Sequence, residues 1–212
     1  MANFPVNVEI LIQPTGFFRG RKLTLVELLA SGWSNKSIAR EAKISIKSVE
    51  RILSELSNKF ANKATRNDND RRRLFNPRLR LLTGLIAEDI CDIYSSTSLR
   101  LVEELSQQLR QTLILSCIGF SNKAIADLYG IGEKAIELRF TQLFDYFGVD
   151  TKSLSVENPR VSLFLNAYCR GNINKMQVKR LYRETQEEWL DAIMIQPYKF
   201  IAGLETSSKI VG

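Results

Sequence analysis

The sequence predicts an all-α fold, made of two tandem four-helix units, each containing a helix-turn-helix, plus a C-terminal helix. Three observations carry this reading. Apolar residues recur at helical spacing in several segments. One such segment occurs twice, with its flanks. After each copy comes an Asn-Pro-Arg string, a helix start with Asn as cap and Pro at the first helical position.

Residues 1–17 are set apart as an N-terminal arm. Their one regular feature is an alternating run over 6–12, which reads as a lone strand or an extended arm.

The first unit spans 18–95. Leu23, Val26, Leu29 and Ala30 mark its opening helix. The string Gly32-Trp33-Ser34-Asn35-Lys36-Ser37-Ile38-Ala39 follows, with Ser34 as cap and Ile38-Ala39 as the buried face of a short helix. A turn at Lys43-Ile44 leads to a longer helix over about 45–60, capped by Ser45. Its apolar residues Val49, Leu53, Leu56 and Phe60 fall on one face. A polar, Asn-rich loop over 62–73 holds Arg66, Arg71, Arg72 and Arg73, and then Asn76-Pro77-Arg78 opens the next helix.

The second unit, 96–170, repeats this at an offset of 87 without a gap over 32–60, with 11 identities in 29 positions. Leu105, Leu109, Leu113 and Cys117 mark the opening helix, Ser121 caps the short helix, and the turn carries Gly130-Ile131. The longer helix starts at Gly132, and Ile136, Phe140, Leu143 and Phe147 form its buried face. Asn158-Pro159-Arg160 follows at an offset of 82, so the preceding loop is five residues longer in the first unit. Residues 171–212 form a C-terminal extension. Within it 175–194 read as a charged amphipathic helix with Leu181, Trp189, Leu190 and Ile193, serving dimerisation or packing back on the core.

Composition narrows the function. The 212 residues are 44% hydrophobic and 25% charged, a globular balance. Histidine is absent, which removes Ser-His-Asp and Cys-His nucleophile systems and His-containing metal sites. Three widely spaced cysteines fit neither a zinc site nor a disulfide framework, and point to a reducing cytoplasm. The longest uncharged run, 111–122, is too short to span a bilayer, which takes ~20 apolar residues. No paired-acid or phosphate-loop motif is present. The expectation is a non-enzyme with no cofactor, no metal and no membrane partner. Charge is uneven: residues 1–80 carry 16 Lys/Arg and 7 Asp/Glu, whereas 81–212 carry 14 and 16. A basic excess at one end points to a polyanion partner there.

The string G-W-S-N-K-S-I-A-x4-I-S-I-K-S-V-E resembles the helix-turn-helix of the LuxR/NarL (GerE-like) family of bacterial transcription regulators. The second copy resembles it over a longer stretch, with 105–119 as scaffold helix and Phe147-Gly148-Val149-Asp150 as helix end. Together the resemblances cover roughly 18–60 and 105–150. Sigma-factor region four shares the hairpin. There are departures. Phe18-Arg19-Gly20 replaces the usual start of the scaffold helix, so that helix is expected to begin late. Lys43 stands where the turn prefers a residue tolerant of positive φ. The family's regulatory half has no counterpart.

The resemblance implies a sequence-specific regulator whose 45–60 helix enters the major groove of double-stranded DNA. Glu50, Arg51 and Ser54 then take base-reading positions: Arg can bond guanine bidentately and Glu can accept from cytosine. Lys36, Arg40 and Lys47 are expected on phosphates, with Arg71, Arg72 and Arg73 in reach of the backbone or minor groove. The second unit's recognition face is Lys134, Glu137, Leu138 and Thr141. Its window 119–148 holds three basic and four acidic residues, against six and three in 32–60. Phosphate contact dominates DNA affinity, so this unit reads as a degenerate binder and a surface for a homodimer or another partner, through Leu138 and Trp189. The rival reading is a sigma-like or adaptor protein that contacts RNA polymerase or another regulator without strong DNA binding of its own.

Overall fold

In the computed structural model, which describes residues 8–13, 18–60, 75–95, 105–151 and 158–185, side chains written in the sequence start most of the helices. The elements are β1 (Val8–Ile12), α1 (Arg21–Ala30), α2 (Asn35–Glu41), α3 (Ile46–Lys59), α4 (Pro77–Ala87), β2 (Cys91–Ser95), α5 (Gln107–Cys117), α6 (Asn122–Tyr129), α7 (Glu133–Phe147), α8 (Pro159–Cys169) and α9 (Lys175–Glu184). Among the described residues the fold is all-α in class, with one short sheet.

Ser34, Ser45 and Ser121 each accept a main-chain N–H three residues on, at 3.1–3.2 Å, and so cap α2, α3 and α6. Asn76 and Asn158 each accept two N–H groups at the starts of α4 and α8, with proline at the first turn. Asn174 and Gln177 form a reciprocal capping box on α9. Helices α1 and α7 begin at Gly20 and Gly132 without a side-chain cap. The late start expected for the first scaffold helix is therefore observed, at Arg21.

The run over 6–12 is not a lone strand. β1 pairs antiparallel with β2 in the register Glu9↔Tyr94 and Leu11↔Asp92. Ile12, Cys91 and Ile93 face the core, whereas Leu11 and Tyr94 face outward. The segment expected as an arm is thus fastened to the end of the first unit, because strand alternation gives it one apolar face to bury.

The core is continuous through both units. At its centre lies α4, buried from Arg78 to Ala87, as expected of a helix covered on every side. Helix α9 packs along α4 through Val178, Leu181 and Tyr182, so the described part of the C-terminal helix packs back on the core. The Phe60 carbonyl, at the end of α3, accepts from the Tyr182 hydroxyl at 3.0 Å and from Arg80 Nε at 3.2 Å. Those bonds satisfy a carbonyl that a helix end leaves without a partner inside the helix.

The two units meet reciprocally. The N–H of Asn76, cap of α4, donates to the Gly119 carbonyl of the second unit at 2.6 Å, and the N–H of Asn158, cap of α8, donates to the Gly32 carbonyl of the first at 2.5 Å. Gly32 and Gly119 head the two copies of the repeated string, so equivalent positions of the two units make the same contact with each other. Gly119 has φ of 98°, and a Cβ there would stand 3.0 Å from the main-chain nitrogen of Arg80. Glycine is required by both conformation and space.

Candidate nucleic-acid interface

Two crossed helices and a tight turn present the first unit's basic face. Ile38 and Ala39 of α2 pack with Val49, Leu53 and Leu56 of α3, which fixes which sides of both helices look outward. Outward lie Lys36 and Arg40 on α2, Lys43 in the turn, and Lys47, Glu50 and Arg51 on α3, all exposed. Ser54 is half-buried. The structure therefore brings the expected phosphate ligands Lys36, Arg40 and Lys47 onto one hairpin with the three expected base readers. Arg71, Arg72, Arg73 and Trp189 lie outside the described residues.

Glu50 and Ser54 line an open groove of about 460 Å³ between α3 and the start of α4, together with Asn76 and Arg78. One residue on, about 100° around the helix, Arg51 extends into solvent. Its Nε is 4.0 Å from Glu55, an exposed i,i+4 pair of negligible strength.

The second unit reproduces the hairpin without the charge. Counterparts of Lys36, Arg40, Lys43, Lys47 and Arg51 are Lys123, Asp127, Gly130, Lys134 and Leu138, so three of five cations are gone and one has become an anion. Lys134, Glu137, Leu138 and Thr141 are all exposed on α7, and Leu138 retains 62% of its surface. Thr141 Oγ1 donates to the Glu137 carbonyl of its own helix. Arg139 turns inward: its guanidinium lies 4.9 Å from the Tyr129 ring centre, with Nη1 and Nη2 each 3.4 Å from Thr112 Oγ1 and Gln108 Oε1.

A pair of arginines, Arg78 buried and Arg160 half-buried, braces the two hairpins. Arg78 donates to the Trp33 carbonyl at 2.6 Å and to Asn35 Oδ1. Arg160 donates to Ser116 Oγ at 2.9 Å and to Asn122 Oδ1, with its guanidinium over the Phe140 ring. Burial lowers Arg78 to about 10 and Arg160 to about 9, which leaves both charged at neutral pH. Thus the Asn of Ser-Asn-Lys and the Arg of Asn-Pro-Arg hold each other, and each hairpin is locked to its own fourth helix. In the sequence the Asn-Pro-Arg string signals only a helix start. Both strings occur twice, and that joint recurrence was the available signal.

Burial raises the Cys91 thiol to about 12 and also pushes Cys117 up, so both stay protonated. Among the described residues no group of three or more Cys, Asp or Glu is placed to hold a metal ion, and no helix is long and apolar enough to cross a membrane. Set against models of known protein families, curated proteins and solved structures, the chain matches none.

Proposed function

We propose that the protein is a sequence-specific DNA-binding transcription regulator of LuxR/NarL-like type that works in the cytoplasm and carries α3 into the major groove. The observation that carries this reading is the row of five exposed cations, Lys36, Arg40, Lys43, Lys47 and Arg51, on a braced helix-turn-helix. Arg51 reads a base edge, and Glu50 and Ser54 contribute beside it. Lys36, Arg40 and Lys47 hold phosphates, and Arg71, Arg72 and Arg73, which follow α3 in the sequence, add to that contact. Titration of labelled duplex DNA at several salt concentrations tests it. Four to six phosphate contacts at −0.9 each give a log–log slope of about −4 to −5. A slope near zero favours the adaptor reading.

The second unit serves a protein partner in this proposal. Its exposed Leu138 and its inward-turned Arg139 support that role. We infer a homodimer formed through the Leu138 face, with RNA polymerase or another regulator as the alternative partner. Light scattering of the free chain and of its DNA complex separates these. A monomer in both, on a DNA site with two unlike halves, means that the two units of one chain act as the pair.

A further inference from the structure

Arg80 lies at the centre of the molecule with 1% of its surface exposed. Its Nε donates to the Phe60 carbonyl at 3.2 Å, and its Nη1 to Thr185 Oγ1 at 2.7 Å and the Ile118 carbonyl at 3.4 Å. The guanidinium rests against the rings of Phe75 and Tyr182, at 4.6 and 4.4 Å. Nη2 is buried and has no hydrogen-bond partner, and no carboxylate is among these contacts. A buried cation without an anion is costly, and the cost shows in a pKa drawn down by burial to about 10. Arg80 bridges the end of α3 to α9, but the repeated unit does not itself carry an arginine here. In the second unit the equivalent position is Ser162, set against Gly32 where Arg80 is set against Gly119.

Arg80 lines the groove between α3 and α4. Small side chains open that groove. Leu53 and Ser57 stand where the second unit has Phe140 and Phe144, whose rings pack 6.1 Å apart. Polar walls come from Ser54, Asn58 and Asn76, and apolar ones from Phe75 and Pro77. Arg78 and Arg80 are both among its lining residues, with a single carboxylate, Glu50, and the guanidinium of Arg78 is already held by Trp33 and Asn35. A volume of about 460 Å³ suits a small metabolite.

We propose that this groove binds a small organic anion, with the carboxylate or phosphate group received at the Arg80 end and Ser54 and Asn58 as further donors. The anion supplies the counter-charge that Arg80 lacks. Glu50 and Ser54 belong both to the groove and to the outward side of α3, so occupancy alters DNA affinity. This second step rests on the DNA-binding reading, whereas the site itself does not.

Calorimetric titration of the full chain with citrate and with inorganic phosphate, at constant ionic strength and without DNA, tests the site. The expected result is saturable binding of one anion per chain, and the stronger probe identifies the carboxylate or the phosphate class. Arg80→Ser, which installs the second unit's own residue, should weaken binding at least tenfold. Asn58→Asp, an exposed change matching Asp145 of the second unit, should weaken it several-fold and decides the matter if Arg80→Ser does not fold. Absence of saturable binding at millimolar probe, or equal binding by the folded variants, overturns the site. DNA titration with and without the better probe then tests coupling. Unchanged DNA affinity overturns the coupling alone, and absence of DNA binding overturns the DNA reading while leaving the anion site standing.

Discussion

Lys43 and Gly130 hold the same left-handed backbone, at φ of 51° and 62°, at equivalent points of the two helix-turn-helix turns. Only the second is a residue that adopts this conformation without a Cβ penalty, which is ~1–2 kcal/mol. Lys43→Gly should therefore stabilise the chain, by about 1 kcal/mol once the greater freedom of glycine in the unfolded chain is counted. Gly130→Ala should destabilise it by a similar amount, although a Cβ there meets nothing within 4 Å. The midpoints of urea unfolding measure both, and opposite signs are expected.

Gly84 is needed for space rather than for conformation. A Cβ at this position would stand 2.5 Å from Cδ1 of Phe60, the ring that closes α3 over α4. Gly84→Ala should cost about 1–3 kcal/mol, the usual cost of overpacking, despite alanine's better helix propensity. Adding Phe60→Leu should return part of that loss, which a double-mutant cycle on thermal or urea unfolding reads directly.

Acid should expose the tie between the α4–β2 turn and α9. Lys179 and Lys175 donate to Asp89 and hold its pKa down at about 2, and Lys175 also bonds Asp92 at 2.5 Å. A carboxylate depressed on folding stabilises above its unfolded pKa of about 3.9 and loses that contribution as pH falls through the folded value. Wild type should thus be more stable than Asp89→Asn at neutral pH, and the gap should close between about pH 4 and pH 2. Asparagine suits the left-handed φ of 56° at this position, so the comparison isolates the charge. Asp89 is exposed, so added salt should narrow the gap too.

Arg51 and Arg139 should behave oppositely. Arg51→Ala removes an exposed side chain and should leave stability unchanged while costing ~1–3 kcal/mol of DNA affinity if it reads a guanine. Arg139→Ala removes the contacts to Tyr129, Thr112 and Gln108, and should lower the unfolding midpoint with little effect on DNA. Equal losses of DNA affinity would mean that both units read DNA.

The hairpins were readable from sequence because their determinants are local. Ser34, Ser45, Asn76 and Asn158 cap helices within three residues of themselves, and Val49, Leu53 and Leu56 declare one buried face. Strand β2 is not legible in the sequence because its partner lies some eighty residues away, and five residues of alternation say little alone. The start of α4 is legible in Asn76-Pro77-Arg78, but the burial of Arg78 and Arg80 with the leucines is not. Their environment is assembled from Trp33, Ile118 and Thr185, distant in sequence. The groove beside α3 depends on what Leu53 and Ser57 fail to fill, a volume relation that no periodicity encodes.

The exchange of hydrogen bonds between Asn76 and Gly119 and between Asn158 and Gly32 bears on how the chain acquires its structure. The cap of each unit's fourth helix bonds the opposite unit, and α9, which follows the second unit in the chain, packs on α4 of the first. The two halves share one continuous interior. Unfolding should therefore be one cooperative transition rather than two, and refolding should be slowed by contacts so distant along the chain. Two polypeptides made by cutting within 96–104 should each be poorly structured and should regain the native spectrum when mixed, as complementary fragments of one folding unit.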